Sequence, residues 1–158
     1  MIVFVEGVDG SGKSKLTEQL KEKGYKTHTV NSSSEEVKEW MELIEETDTL
    51  VMDRGSFISD LVYRIVDGKP RRGMDLFCIS AILKTPVKII YCKTDTAFDD
   101  AIRRGEDNIV DRNVHDELCN TYDKVMRMFS LFTDVSIITY NWKTDSVSNV
   151  INFIERRN

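Results

Sequence analysis

The chain has 158 residues, of which 41% are hydrophobic and 31% charged, and its formal net charge is −5. This composition is that of one globular domain over residues 1–158, and it excludes an intrinsically disordered protein. The negative charge argues against a nucleic-acid-binding surface, and no apolar run approaches the roughly 20 residues of a membrane span. No signal peptide is readable, so we expect a cytoplasmic protein.

The chain opens with an apolar run over residues 2–5, a glycine-rich stretch over residues 7–14 and a helical pattern that carries Leu16 and Leu20. The stretch reads GVDGSGKS and matches the phosphate-binding motif G-x-x-x-x-G-K-[ST], in the expected context of strand, loop and helix. Glycines let such a loop curl around an anion so that several backbone N–H groups meet it at once. The candidate nucleotide-binding residues are Gly7, Asp9, Gly10, Ser11, Gly12, Lys13 and Ser14.

Two side chains of this loop have distinct expected roles. Lys13 would add a mobile positive charge to the phosphates, and Ser14 would offer its hydroxyl to Mg²⁺. The N-terminus of the following helix would contribute a partial positive charge. The alternative, a glycine-rich turn without a ligand, is poorly supported because the strand and the helix both fit.

Residues 25–30 predict a second strand, and the apolar spacing over residues 34–46 predicts a helix. Trp40 lies on the apolar face of that helix, where a core position is favoured over stacking on a base. Residues 49–52 read as a buried strand that ends at Asp53 and Arg54. An acid at this edge of the sheet lies where Mg²⁺ is bound directly or through water, although Asp53 could also cap a helix.

The next helix has an apolar face that includes Leu61 and Ile65. A basic cluster over residues 69–72 follows, and we interpret it as a solvated turn in preference to a phosphate site. Residues 74–83 predict a further helix and residues 87–92 a fourth strand. The helix after this strand has apolar positions that include Ile102.

The most polar loop covers residues 103–112 and holds Arg103, Arg104 and Arg112 among three acids. This is the composition of a mobile lid. A long helix capped by Asn113 should run to residue 132 with Val114 facing inward, followed by a strand over residues 135–140 and a final helix. His28 falls in a predicted strand and His115 on a surface turn of the long helix, so neither is a catalytic candidate.

Five strands that alternate with helices predict an α/β fold, in which a five-stranded parallel sheet is covered by helices on both faces. The glycine-rich loop and Asp53 both follow strands of this sheet. Because ligands of such sheets bind outside the carboxyl ends of the strands, we expect the site at that edge.

The residues from Phe4 to Ser14, FVEGVDGSGKS, resemble the F-x-E-G-x-D-G-x-G-K-S/T signature of the thymidylate kinase family of P-loop nucleoside monophosphate kinases. Asp53-Arg54 is similar to the D-R motif of that family, and Ser59 and Tyr63 are similar to its downstream serine and tyrosine. The resemblance implies a P-loop kinase fold with a lid at about residues 103–112. It also implies that Asp9 faces the 3′-hydroxyl of the acceptor sugar and that Arg54 holds phosphoryl groups.

Three features depart from that family. Arg64 stands where the family has glutamine, residues 31–34 (NSSS) replace its R-E-P motif, and the segment before Asp53 is short. The identity of the accepted base is therefore open, as is the choice between a monomer and a homodimer. A compact chain of this kind would suit a bacteriophage or other viral enzyme, acting in the host cytoplasm.

The expected reaction moves the γ-phosphoryl of ATP, with Mg²⁺, to a deoxynucleoside 5′-monophosphate such as dTMP. The catalytic candidates are Lys13, Arg54, Asp9, Arg104 and Arg112. Arg103 would bind ATP together with the P-loop, and Ser14 and Asp53 would hold the metal. The acceptor would contact Asp9, Arg54, Phe57, Tyr63 and Arg64. One alternative is a kinase with a hydroxyl acceptor, a deoxynucleoside or a polynucleotide 5′ end. It needs a carboxylate base, for which Glu6 and Asp53 are the candidates. The other alternative is a nucleotide-binding ATPase or switch.

Overall fold

In a computed structural model of the chain, the described residues are 1–29, 42–43, 45–54, 56–68, 85–105 and 111–156. The predicted helix over residues 74–83 and the basic cluster over residues 69–72 lie outside them. So do most of the predicted helix over residues 34–46, with Trp40, and residues 106–110 of the predicted lid.

Strands and helices alternate through the described chain. The strands are β1 (Ile2–Glu6), β2 (Lys26–Thr29), β3 (Leu50–Asp53), β4 (Val87–Cys92) and β5 (Ser136–Tyr140). The helices are α1 (Lys13–Glu22), α2 (Ser56–Asp67), α3 (Ala97–Arg103), α4 (Arg112–Phe132) and α5 (Val147–Glu155). None of these described helices has the length and apolarity needed to cross a lipid bilayer.

The five strands form one sheet in the order β2-β3-β1-β4-β5, and every neighbouring pair is parallel. Strand β1 lies at the centre and is buried along its whole length, as expected of a strand covered on both faces. The register pairs Val5 with Asp53 of β3 and Glu6 with Tyr91 of β4. The carboxyl ends of these three strands therefore meet at one edge of the sheet.

Alternation along β1 divides the core into two layers. Ile2 and Phe4 face a cluster that includes residues of α2, α3 and α4. Val3 and Val5 face the opposite cluster, with residues of α1 and α5. Successive side chains of a strand point to opposite faces, so an unbroken apolar run serves both layers at once.

The start of α4 differs from the prediction. Asp111, and not Asn113, is its N-cap, and the Asp111 side chain accepts the Asn113 N–H at 2.8 Å. Val114 was expected inside but is 46% exposed, whereas His115 was expected on the surface but is only 5% exposed. Neighbouring helix positions lie about 100° apart, so the first turn of α4 buries the residue after the predicted one, whereas Tyr122 and Val125 further along are buried as predicted.

Two other predicted apolar positions are on the surface. Ile65 of α2 is 57% exposed and Ile102 of α3 is 50% exposed. Each belongs to a helix whose neighbouring apolar residues, Val62 and Ala101, are buried. The helical period alone therefore overestimates the width of the buried stripe on both helices.

Lys88 is a buried lysine within β4, at 3% exposure. Its Nζ donates hydrogen bonds to Phe153 O at 2.7 Å and to Ile154 O at 3.1 Å, and it also donates to Arg156 O. The last carbonyl groups of a helix lack intrahelical partners, and a positive charge at that end is favourable. Lys88 thus attaches the C-terminal end of α5 to the sheet.

We expect Lys88→Met to lower the free energy of unfolding by about 1–3 kcal/mol, because methionine keeps the apolar stem but leaves buried carbonyl groups without a donor. Urea unfolding followed by circular dichroism would measure the change. Lys26→Met, at an exposed lysine of β2, is the matched control and should change stability by less than about 0.5 kcal/mol. Equal effects of the two variants would contradict the assigned role of Lys88.

Candidate active site

The glycine-rich loop, residues 7–14, connects β1 to α1 at the carboxyl edge of the sheet. Gly10 and Gly12 have φ angles of 79° and 94°, in a region that glycine adopts without steric cost. A Cβ atom on Gly10 would lie 1.9 Å from Ala97 O, and one on Gly12 would lie 2.3 Å from Trp142 Cδ1. The loop therefore packs against the segments that follow β4 and β5, with no room for a side chain at either glycine.

The N-terminus of α1 is open toward this loop. Gly12 is its N-cap without a side-chain hydrogen bond, and its first turn contains no acidic residue. The first N–H groups of a helix lack intrahelical acceptors and attract anions. Ser11 Oγ is also buried without a hydrogen-bond partner among the described residues. A buried hydroxyl without a partner is costly, so these groups together favour a bound anion that accepts hydrogen bonds.

Lys13 places a positive charge inside the loop, with its side chain only 6% exposed. Its Nζ donates to Val8 O at 2.7 Å and lies 3.8 Å from Asp9 Oδ1. Burial lowers the pKa of Lys13 from its ordinary value. A phosphate beside this ammonium would stabilise its charged form better than one backbone carbonyl does.

Asp9 is the point on which two cations converge. The Arg54 guanidinium forms an ion pair with Asp9 Oδ1, the same oxygen that lies nearest to Lys13. Arg54 has a φ angle of 69°, which is uncommon for a residue with a Cβ, and its N–H donates to Val5 O at 3.0 Å. Backbone strain of this kind is often found at functional sites, and here it accompanies a side chain that reaches the P-loop from the end of β3.

Asp53 is the last residue of β3 and lies close to the Ser14 side chain. Burial raises the pKa of Asp53, and the charges of Lys13 and Arg54, together with the Ser14 hydroxyl that favours the ionised carboxylate, oppose this rise only in part. Mg²⁺ prefers oxygen ligands and keeps several waters, so one carboxylate, one hydroxyl and nucleotide phosphates form a suitable set. The described residues contain no cluster of three or more His, Cys, Asp or Glu side chains that could hold a metal. Magnesium here would therefore be held jointly with a nucleotide.

Glu6 ends β1 and is fully buried. Its Oε2 accepts hydrogen bonds from Ser59 Oγ at 3.0 Å and from the Tyr122 hydroxyl at 3.3 Å. Burial raises the pKa of Tyr122 well above its ordinary value, so this hydroxyl keeps its proton and donates. The two hydroxyls cover the carboxylate and separate it from solvent.

Two of the three predicted lid arginines lie at the C-terminal end of α3, Arg103 as its last residue and Arg104 directly after it. Arg103 forms an ion pair with the buried carboxylate of Asp100 at 2.5 Å. Arg104 Nη2 donates to Gly10 O at 3.5 Å and is the lid arginine that reaches the P-loop in this structure. The predicted function of both residues as phosphate ligands stays a prediction.

Arg112 begins α4 and lies on the surface of α3. Its guanidinium carbon is 4.4 Å from the centroid of the Phe98 ring, and its Nη2 forms an ion pair with Asp99. The side chain is 56% exposed. It is thus held by α3, and contact with a phosphate would require it to leave both partners.

The residues expected to contact the acceptor are described only in part. Tyr63 is half-buried on α2 and lies near enough to Arg54 to help raise the pKa of its guanidinium. Arg64 is the next residue along α2 and is exposed. The side chain of Phe57 lies outside the described part of the chain.

Two residues that contact the P-loop were missed in the sequence. Trp142 packs against Gly12, and Lys15 Nζ lies 4.2 Å from the centroid of its ring. His115 Nε2 lies 3.3 Å from Asp9 O. Trp142 comes two residues after β5, so its place near the carboxyl edge of the sheet was a usable signal. No local pattern connects His115 with a loop 106 positions earlier.

No family model and no curated protein matches the chain. Solved structures do match. The YorR protein from Bacillus subtilis, in complex with phosphorylated GDP, is 20% identical with a TM-score of 0.69, over 98% of this chain and 96% of that chain. Deoxyadenosine kinase from M. mycoides with bound dCTP is 14% identical with a TM-score of 0.65, over 98% of both chains. The chain has the fold of P-loop kinases, and the predicted α/β architecture with a five-stranded parallel sheet is confirmed.

Asp53→Asn tests the electrostatic cost of the buried carboxylate. Because the pKa of Asp53 is raised in the fold, the folded protein keeps a proton that the unfolded chain has lost. Its stability therefore falls as pH rises through the interval between the unfolded and folded pKa values. Asparagine does not titrate, so we expect the stability of Asp53→Asn relative to wild type to increase with pH and then to level off.

Urea unfolding between about pH 4 and about pH 8 would measure this difference, since the ordinary pKa of aspartate lies at the low end of that range. Asp134→Asn, at an exposed aspartate, is the control and should follow the wild-type pH dependence. A pH dependence of Asp53→Asn parallel to that of the wild type would show that the carboxylate carries no such cost.

Proposed function

We propose that this chain transfers the γ-phosphoryl of ATP, with Mg²⁺, to the 5′-phosphate of a deoxynucleoside monophosphate. The observation that supports the proposal most is the convergence of Lys13 and Arg54 on Asp9, beside a loop built for an anion. Phosphoryl transfer passes through a transition state with charge spread over several oxygens, and fixed cations stabilise it. Lys13 begins α1 and Arg54 follows β3, so the two cations approach from different elements and could act on two phosphate groups.

Each group has its own role in this proposal. The P-loop N–H groups and Lys13 would hold the donor phosphates, and Arg54 would neutralise the phosphoryl group in transfer. Ser14 and Asp53 would hold Mg²⁺, which when bound withdraws charge from the phosphate oxygens. By the family resemblance, Asp9 would accept a hydrogen bond from the 3′-hydroxyl of the acceptor, and dTMP or a related pyrimidine nucleotide is the proposed acceptor.

The carboxylates of the site support a phosphate acceptor over a hydroxyl acceptor. A hydroxyl must lose a proton to a base in the reaction, whereas a phosphate is already ionised. Glu6, one of the two candidate bases, is fully buried beneath two hydroxyls. Asp53, the other, is partly buried and is the carboxylate proposed to hold the metal. Glu6 is therefore closed to a hydroxyl substrate in this structure, and Asp53 has another role in the proposal.

The second candidate function is a kinase with a hydroxyl acceptor. The observation in its favour is the similarity in fold to a solved protein named deoxyadenosine kinase. Such an enzyme would phosphorylate a deoxynucleoside or a polynucleotide 5′ end, and it would have to uncover Glu6 or use Asp53 as the base. A nucleotide-binding ATPase or switch is the remaining alternative from the sequence, and it would transfer no phosphoryl group to either acceptor.

Chromatographic separation of products from γ-labelled ATP tests these alternatives directly. Each deoxynucleoside monophosphate, each deoxynucleoside and a 5′-hydroxyl oligonucleotide are supplied separately with Mg²⁺. We expect label in a nucleoside diphosphate, with dTMP among the better acceptors. Label in a monophosphate or an oligonucleotide would favour the hydroxyl acceptor, and label in inorganic phosphate at one rate throughout would favour an ATPase.

Lys13→Ala is expected to lower turnover by roughly two to three orders of magnitude or more, since removal of one preorganised charge-stabilising group commonly costs that much. The same labelled-ATP assay measures the loss, and circular dichroism shows whether the fold is kept. Lys21→Ala, at an exposed lysine of the same helix, serves as the control and should retain full turnover. Near-normal turnover of a folded Lys13→Ala would remove the P-loop from the mechanism.

A further inference from the structure

Asp9 is held through its backbone as well as through its carboxylate. His115 Nε2 lies 3.3 Å from Asp9 O, and the imidazole is buried at 5% exposure. A carbonyl oxygen only accepts hydrogen bonds, so Nε2 carries the proton and donates. In the neutral ring Nδ1 is then bare, and it lies 3.7 Å from Cys119 Sγ, whose thiol is the donor.

The ring of His115 is fixed by its neighbours. Phe98 of α3 meets it edge to face, with ring centroids 5.4 Å apart. From the same side of the loop, Arg104 Nη2 donates to Gly10 O at 3.5 Å. Two successive carbonyl groups at the tip of the P-loop, those of Asp9 and Gly10, therefore accept hydrogen bonds from α4 and from the residue after α3.

The peptide bond between Asp9 and Gly10 gives this contact a consequence for the anion site. A peptide group is planar and trans, so the Asp9 carbonyl and the Gly10 N–H point in opposite directions. Holding the carbonyl toward α4 directs the N–H away from α4. Because glycine adopts both signs of φ readily, this peptide could otherwise rotate and turn its carbonyl dipole toward the phosphates, where it would repel them.

We propose that His115 is a positioning residue for the phosphoryl donor: by donating to Asp9 O, it keeps the Gly10 N–H turned toward the donor phosphates. This role rests on the proposed function, since it assigns the P-loop to a nucleotide polyphosphate. It concerns the donor alone, because the bond acts on the backbone of the loop and leaves the ion pair of Asp9 with Arg54 in place. The effect should therefore appear in donor binding and not in acceptor binding.

Calorimetric titration with ADP and with ATP compares the wild type with His115→Gln and His115→Leu. Glutamine places an amide N–H near the position of Nε2, whereas leucine has no donor. We expect His115→Leu to weaken the binding of both nucleotides by roughly threefold to tenfold, the range that corresponds to one hydrogen bond. His115→Gln should bind within about twofold of wild type, and the KM for the acceptor should change in neither variant.

His28→Leu removes the other histidine of the chain, in β2, and is the matched control for the His-to-Leu change. It should leave the dissociation constants for ADP and ATP unchanged. The positioning role is overturned if folded His115→Leu binds ADP as wild type does, if His115→Gln is as weak as His115→Leu, or if the acceptor KM rises by the same factor as the ADP dissociation constant.

Nitrogen-15 NMR of the wild-type imidazoles provides a test that needs no variant to fold. We expect His115 to carry its proton on Nε2, and we expect the Gly10 amide resonance to shift strongly when ADP is added. An Nε2 without a proton, or a Gly10 amide that does not respond to ADP, would overturn the proposal. If these signals and the ADP affinities behave as expected while no acceptor is phosphorylated, the proposed reaction fails and the positioning role of His115 stands.

Discussion

The interaction on which the site depends is the contact of one carboxylate, Asp9, with two cations. Lys13 is buried within the glycine-rich loop, and Arg54 reaches the same carboxylate oxygen from the end of the neighbouring strand β3. Two positive charges so near each other, one of them buried, would be unfavourable alone. Asp9 and the Val8 carbonyl compensate for them in this structure, and phosphate oxygens are the ligands that would do so better.

The order of the strands explains why these groups meet. Strand β1 lies between β3 and β4, so the P-loop leaves the sheet beside Asp53 and Arg54 on one side and beside the end of β4 on the other. The apolar residues of β1 hold helices on both faces, and its last residue, Glu6, is covered by hydroxyl groups. A fully buried central strand thereby positions a loop whose backbone must be accurately placed. In α/β proteins the sheet commonly forms the scaffold, and the loops at its carboxyl edge carry the functional residues.

The parts that the sequence predicted are those encoded by local patterns. Apolar runs and alternating patterns located all five strands, and the spacing of glycines, Lys13 and Ser14 located the glycine-rich loop, because these signals depend on residues that are neighbours in the chain. The contacts of His115 and Trp142 with the loop depend on how distant elements pack, and a hydrophobic period carries no such information. The same limit explains Val114, whose apolar side chain fits the pattern of α4 although the first turn of the helix buries His115 in its place.

The central claim is that donor and acceptor phosphates occupy this one edge of the sheet together. Calorimetric titration with a bisubstrate analogue, in which adenosine and thymidine are joined through their 5′ oxygens by five phosphates, tests it most directly. We expect the analogue to bind at least about a hundredfold more tightly than ATP or dTMP alone, because the second half binds at a high effective concentration. An analogue that binds no more tightly than ATP would contradict a shared site for the two nucleotides.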